Sequence, residues 1–152
     1  QVDMHPLAWE GASQAPLEDQ LAHLVRAMLC RILDKSSSDG EPDRWQLIAR
    51  ELTTPSAIMH ILAEKHLRPM KDMLTSVVSG MLDLAQDHEL VHDCVASVVG
   101  QFGHYLYNRR LIRLLNPEHS VRPADLDRLA SHITRFSLAG IRASREWHLK
   151  QA

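Results

Sequence analysis

Apolar residues recur at helical spacing along most of this chain, and the pattern runs longest over residues 87–115 (DHELVHDCVASVVGQFGHYLYNRRLIRLL). Stepping 100° per residue from Leu90 gathers Leu90, Val91, Cys94, Val95, Val98, Val99, Phe102, Tyr105 and Leu106 within about half the circumference. That arc is wide for a single buried face. A second stripe, Ala96, Gly100 and Gly103, continues to Tyr107 on another side. Each interior glycine costs a helix about 1 kcal/mol relative to alanine, and a small side chain lets a second helix come close. Two arrangements fit. The helix is contacted by its own domain on one side and by something else on the other, or it is the central helix of a monomeric bundle.

The remaining segments read the same way. Residues 17–34 form a helix with Leu17, Leu21, Leu24, Val25, Met28 and Ile32 on one face. Pro16 suits its start, and Glu18 and Asp19 suit the positive end of its dipole. The tract 35–43 (KSSSDGEPD) is a loop by composition. A short helix over 42–52 carries Trp45, Ile48, Ala49 and Leu52 on one face, and Pro55 follows it. The next helix spans 57–82, with Pro69 expected to kink or break it and Met70, Met73, Leu74, Val77, Val78 and Met81 facing the core beyond. The last helix spans 123–144, with Leu126, Leu129, Ala130, Ile133, Phe136, Ser137, Gly140 and Ile141 on one side. Arg128, Arg135 and Arg142 recur at seven-residue intervals on the other, as a solvated face. Residues 1–16 form an extended or poorly ordered lead-in, and 145–152 a fraying tail. No strand, repeat or glycine-rich phosphate loop stands out. The predicted architecture is an all-α bundle of five to six helices.

Composition narrows the class. At 152 residues the chain suits one domain with a real core, and its net charge of −2 gives no electrostatic footprint for nucleic acid. Cys30 and Cys94 sit within apolar helical stretches and read as buried free thiols of a reducing compartment. No segment is apolar enough to span a membrane and no signal peptide is evident, so the expected setting is cytoplasmic. The chain starts at Gln1, which allows for a piece of a longer protein.

One string matches a catalytic motif. His88-Glu89-Leu90-Val91-His92 fits H-E-x-x-H, which on a helix puts two imidazoles one turn apart to hold zinc, with the glutamate as general base. The extended form of the motif is missing, because Val95 and Val98 stand where it would continue. A third ligand could come from Glu118 or His119 only by folding back, and short motifs match by accident. Gln101 and Tyr105, at i and i+4 beside the apolar arc, are polar groups that need partners, either within the protein or from a small molecule.

The run 45–68 (WQLIARELTTPSAIMHILAEKHLR) followed by Pro69 resembles a pattern of the C-terminal regulatory domain of TetR-type transcriptional regulators of the CecR (YbiH)-like group. The run 98–107 (VVGQFGHYLY) is similar to a helix of the same domain, and 136–142 (FSLAGIR) resembles its closing segment. The matches span residues 17–144 in order. The resemblance implies an all-α effector-binding and dimerisation domain. Its last two long helices would pair with those of a second copy in a four-helix bundle. A small-molecule cavity would lie among the earlier helices and the penultimate one. A helix-turn-helix domain would precede it, and operator DNA would be reached only through that domain, which this sequence does not include.

Helical face and family position together place the effector pocket among Trp45, Ile48, Met70, Met73, Gln101, Phe102 and Tyr105, for a hydrophobic or aromatic effector. The expected homodimer interface comprises Ala96, Gly100, Gly103, Tyr107, Ala130, Ile133, Ser137 and Gly140. No cofactor, catalytic residue or membrane partner is expected. The alternatives are a zinc-dependent hydrolase using His88, Glu89 and His92, and a helical protein-interaction module without a small ligand.

Overall fold

The structure, a computed structural model, describes residues 14–33, 64, 67–107, 114, 115, 117–119 and 122–151. Four α-helices form among them: α1 (Leu17–Leu33), α2 (Arg68–Leu82), α3 (Glu89–Tyr107) and α4 (Leu126–Leu149). Short 3-10 turns occupy Pro117–His119 and Pro123–Asp125. No strand occurs among the described residues, so the all-α class holds. The described part has four α-helices rather than five to six. The helix predicted over 42–52 and most of the segment before Pro69 lie outside the described residues. Among the described residues no helix is long and apolar enough to cross a membrane.

Local chemistry sets the helix ends. The Pro16 carbonyl accepts from the N–H groups of Asp19 and Gln20 at 2.9 and 3.0 Å, and the Gln20 side chain reaches back to the Ala15 carbonyl at 2.7 Å. Pro69 stands in the first turn of α2, and Glu64 and Leu67 just before it are π-helical, so the regular α-helix begins beside the proline, in line with the kink or break expected there. α2 ends at Asp83, whose φ of 59° is left-handed, and the Ser79 carbonyl accepts from both Asp83 and Leu84. Before α4, the Asp125 carboxylate accepts from the Arg122 N–H at 3.0 Å and pairs with the Arg128 guanidinium at 3.1 Å. The Arg122 N–H first, then Arg128, holds that carboxyl below its usual range. At its far end α4 continues to Leu149 instead of fraying from residue 145.

The helices run up, down, up, down. Leu17 at the start of α1 lies against Gly80 near the end of α2, where an added Cβ would come 3.0 Å from Leu17 Cδ1. Glu18 pairs with Arg142, and Arg26 with Asp127 at 2.9 Å, so α4 is antiparallel to α1. Asp83 at the end of α2 pairs with Arg145 near the end of α4 at 3.8 Å. α1 packs most extensively on α4, and α2 on α3. The core is aliphatic, with Leu21, Leu24, Val25 and Leu29 from α1, Leu74, Val77 and Val78 from α2, Val91 and Val98 from α3, and Leu129 and Ile133 from α4. Each such side chain contributes about 1.5–3 kcal/mol by leaving water. Buried polar groups are accommodated locally, as where Thr75 Oγ donates to the Lys71 carbonyl at 2.8 Å.

Three predicted burials are corrected. Phe136 and Val99, assigned to apolar faces, are 65% and 42% exposed. Cys30 is exposed, while Cys94 is buried. Phe136 and Val99 sit at the margins of their helices' buried arcs, where a rotation of one residue position decides between core and solvent, whereas Cys30 lies on the face of α1 opposite its buried stripe, with His23 and Arg26.

Candidate functional site

Met70 and Met73 open α2, and Gln101, Phe102 and Tyr105 close α3. Because these helices are joined by the turn at residues 83–88 and run antiparallel, both groups fall at the same end of the bundle. Counting back from that turn at equal rise puts Met70 level with Gln101 and Phe102. Phe102 is in the core at 3% exposure, and Met70, Met73 and Tyr105 pack partly buried against it. Trp45 and Ile48 lie outside the described residues, in the stretch joining α1 to α2.

Gln101 already has protein partners. Its Nε2 donates to Ser137 Oγ on α4 at 3.0 Å and to the Ser97 carbonyl at 3.4 Å. With both N–H groups so directed, the amide offers a further molecule only its Oε1 acceptor. Among the described residues no buried side-chain nitrogen or oxygen lacks a hydrogen-bond partner.

The residues expected at a dimer interface divide into two sets. Ala130, Ile133 and Ser137 are buried within the single chain, at 6%, 1% and 5% exposure. They form the face of α4 that meets its own core, so in this arrangement they have no free surface for a partner. Ala96, Gly100 and Gly140 are exposed, Gly103 is half-buried, and the Tyr107 side chain is outside the described groups. A Cβ added at Gly100 or Gly140 would meet nothing within 4 Å. Counted at 100° per residue, Ala96 and Gly103 lie roughly 140–160° around α3 from Gln101, on the flank turned away from α4. Gly100 lies closer to the α4 side.

The open stripe on α4 is longer than the sequence suggested. Phe136, Gly140, Ala143 and Trp147 follow i, i+4, i+7, i+11 spacing and are all exposed, Trp147 at 60%. His132 begins the stripe, its ring tilted against Phe136 at 6.2 Å. Trp147 was missed because the helix was expected to end near Ser144, and Phe136 because it was assigned to the core. The spacing itself was readable.

Of the H-E-x-x-H string, His88 has a local structural role. His88 precedes α3, and its Nδ1 accepts the Leu90 N–H at 3.1 Å while its carbonyl accepts from Val91 and His92. It therefore works as the helix N-cap. The ring meets His148 edge-on, with centroids 5.1 Å apart. Among the described residues no three His, Cys, Asp or Glu side chains converge on a metal position. His88→Ala is expected to cost about 1 kcal/mol through loss of the cap, and His88→Asn to recover most of it. Urea unfolding checks this, and equal stability of the alanine variant and the wild type would remove the capping role.

Against this geometry, the family described as the C-terminal domain of the HTH-type transcriptional dual regulator CecR matches residues 17–141. The match covers most of the chain, and the chain belongs to that family. It is thus a regulatory domain of a transcriptional regulator. No curated protein matches the chain.

Proposed function

We propose that this chain is the effector-sensing and dimerisation domain of a TetR-like DNA-binding transcriptional regulator. Family membership over residues 17–141 is the observation that carries the reading. In the intact protein a small molecule would alter operator affinity by shifting the population between arrangements of two DNA-reading heads, each supplied by an N-terminal helix-turn-helix domain. The likeness to a regulatory domain, together with the capping role of His88, favours a non-enzymatic function. A soluble, cytoplasmic setting accords with that role.

The dimer part of the proposal is supported by the open face beside the α3–α4 seam. Gly100 on α3 and Phe136, Gly140, Ala143 and Trp147 on α4 combine small and large apolar groups that a second copy can cover by two-fold symmetry. This revises the interface toward the outer flank of α4 and away from Ala130, Ile133 and Ser137. The sensor part places the effector at the bundle end near Met70, Met73, Phe102 and Tyr105, with Trp45 and Ile48 as further walls. The effector is hydrophobic or aromatic.

Sedimentation equilibrium tests the assembly. The wild-type chain should be a dimer at micromolar concentration. Gly100→Leu or Phe136→Glu should weaken it tenfold or more, since overpacking a helix contact costs roughly 1–3 kcal/mol. A wild-type monomer at high micromolar concentration would sink the dimer reading and favour a monomeric interaction module.

A further inference from the structure

α4 changes character after Ile141, its last buried side chain. From residue 142 to residue 151 no side chain is buried, and the family match ends at residue 141 as well. The helix nevertheless continues for about two more turns, to Leu149. Polar side chains reach the other helices from those turns. Arg142 pairs with Glu18 in the first turn of α1, and Arg145 pairs with Asp83 at the end of α2 at 3.8 Å. The His148 ring meets His88, just before α3, with centroids 5.1 Å apart. One short segment is thus tied to all three other helices at one end of the bundle. Counted at 100° per residue, Arg142, Arg145 and His148 share an arc of about 120°, and Ala143 and Trp147 lie opposite it. The usual polarity of a surface helix is inverted here. The two arginines reach toward the bundle, and Trp147 faces out at 60% exposure.

We propose that residues 142–149 form a salt-sensitive arm, held on the bundle by the Glu18–Arg142 and Asp83–Arg145 ion pairs and opening locally when those pairs are screened. The part of α4 from Leu129 to Ile141 leaves the bundle only by exposing its buried apolar side chains to water. The arm has no buried side chain to expose, so its opening is separable from unfolding of the rest. All four charged side chains are solvent-accessible, and ion pairs of that kind are weak and are screened by salt. Opening withdraws Trp147 from the open face of α4, while Phe136 and Gly140 stay on the part anchored by Ile133 and Ile141. Ionic strength therefore tunes how much of that face is formed. The consequence for assembly rests on the dimer reading above, while the arm itself does not.

Hydrogen–deuterium exchange of the full chain, read by mass spectrometry below the concentration of dimer formation, tests the arm. Raising sodium chloride from about 0.1 M to about 1 M shortens the screening length from about 10 Å to about 3 Å. Peptides covering 142–149 should then exchange roughly threefold faster or more, relative to peptides covering 129–141. Glu18→Gln combined with Asp83→Asn removes both partner charges without altering the sequence of α4, and asparagine tolerates the left-handed backbone at position 83. This variant should exchange fast over 142–149 already in low salt and respond little to more, with wild-type protection over 129–141. Should it not fold, Arg142→Gln with Arg145→Gln removes the same pairs from the other side. A wild-type arm whose relative exchange is equal in both salts would overturn the proposal. So would a variant arm as protected as the wild type's, or a wild-type arm that exchanges like an unstructured peptide in low salt. A monomeric wild type would remove the dimer reading alone, and the exchange ratios would still decide the arm.

Discussion

Ile133→Ala is expected to cost the chain about 2–5 kcal/mol, whereas Gly140→Ala is expected to raise its stability by up to about 1 kcal/mol. Two residues seven apart on one helix thus have opposite signs. Ile133 is 1% exposed and belongs to the core shared by all four helices, so truncation loses transfer energy and leaves a cavity. Gly140 faces open space, where an added methyl meets nothing and only the helix propensity changes. Against a typical total of about 5–15 kcal/mol, the first loss is large enough to leave a substantial unfolded fraction. Urea unfolding at a protein concentration below dimer formation measures both. In the dimer, the Gly140 methyl should act in the reverse sense and weaken association, since it fills the space a second helix would use. A Gly140→Ala variant that destabilises the isolated chain would mean that α4 is covered on this flank by the same chain.

That pair also shows where sequence reading stops. An apolar stripe records that a face is buried and is silent on whether the covering surface belongs to the same chain or to another. Ala130, Ile133 and Ser137 were assigned to a partner on their mixture of sizes, and the structure uses them internally. α1 was legible to within a residue because its proline, acidic first turn and stripe all agree on Leu17–Leu33. The end of α4 was not, because its last turns are polar and are held by residues distant in sequence, Asp83 through Arg145 and His88 through His148. At Pro69 the missing N–H made a kink or break legible, and the regular α-helix does begin there, beside π-helical residues at Glu64 and Leu67. The all-α class and family were legible. In the effector region, the level placement of Met70 with Gln101 and Phe102 follows from the turn between α2 and α3, which the sequence shows only as a break in period.

A thermal-shift survey of aromatic and other hydrophobic compounds should find ligands that stabilise the wild-type chain, and Met73→Trp should abolish the shift while leaving the dimer intact. A compound present at a hundred times its dissociation constant stabilises the folded state by about 2.7 kcal/mol. For a domain of this size that corresponds to roughly 5–11 °C. Met73 is chosen because it packs partly buried at the bundle end that also holds Met70 and Tyr105, and because it is not one of the wholly buried side chains that hold the fold together. An indole there fills space the thioether leaves, and a methionine's flexible chain is well suited to yield to a ligand. Met73→Leu, of similar volume, should keep the response. Polar anchoring is limited to Gln101 Oε1 and the Tyr105 hydroxyl, so Gln101→Leu should weaken ligands bearing a hydroxyl or amine more than it weakens plain hydrocarbons. Native mass spectrometry on freshly purified protein reports any retained compound directly. A compound that shifts wild type and Met73→Trp equally binds elsewhere, and the bundle end would then lose its assignment as the sensing site.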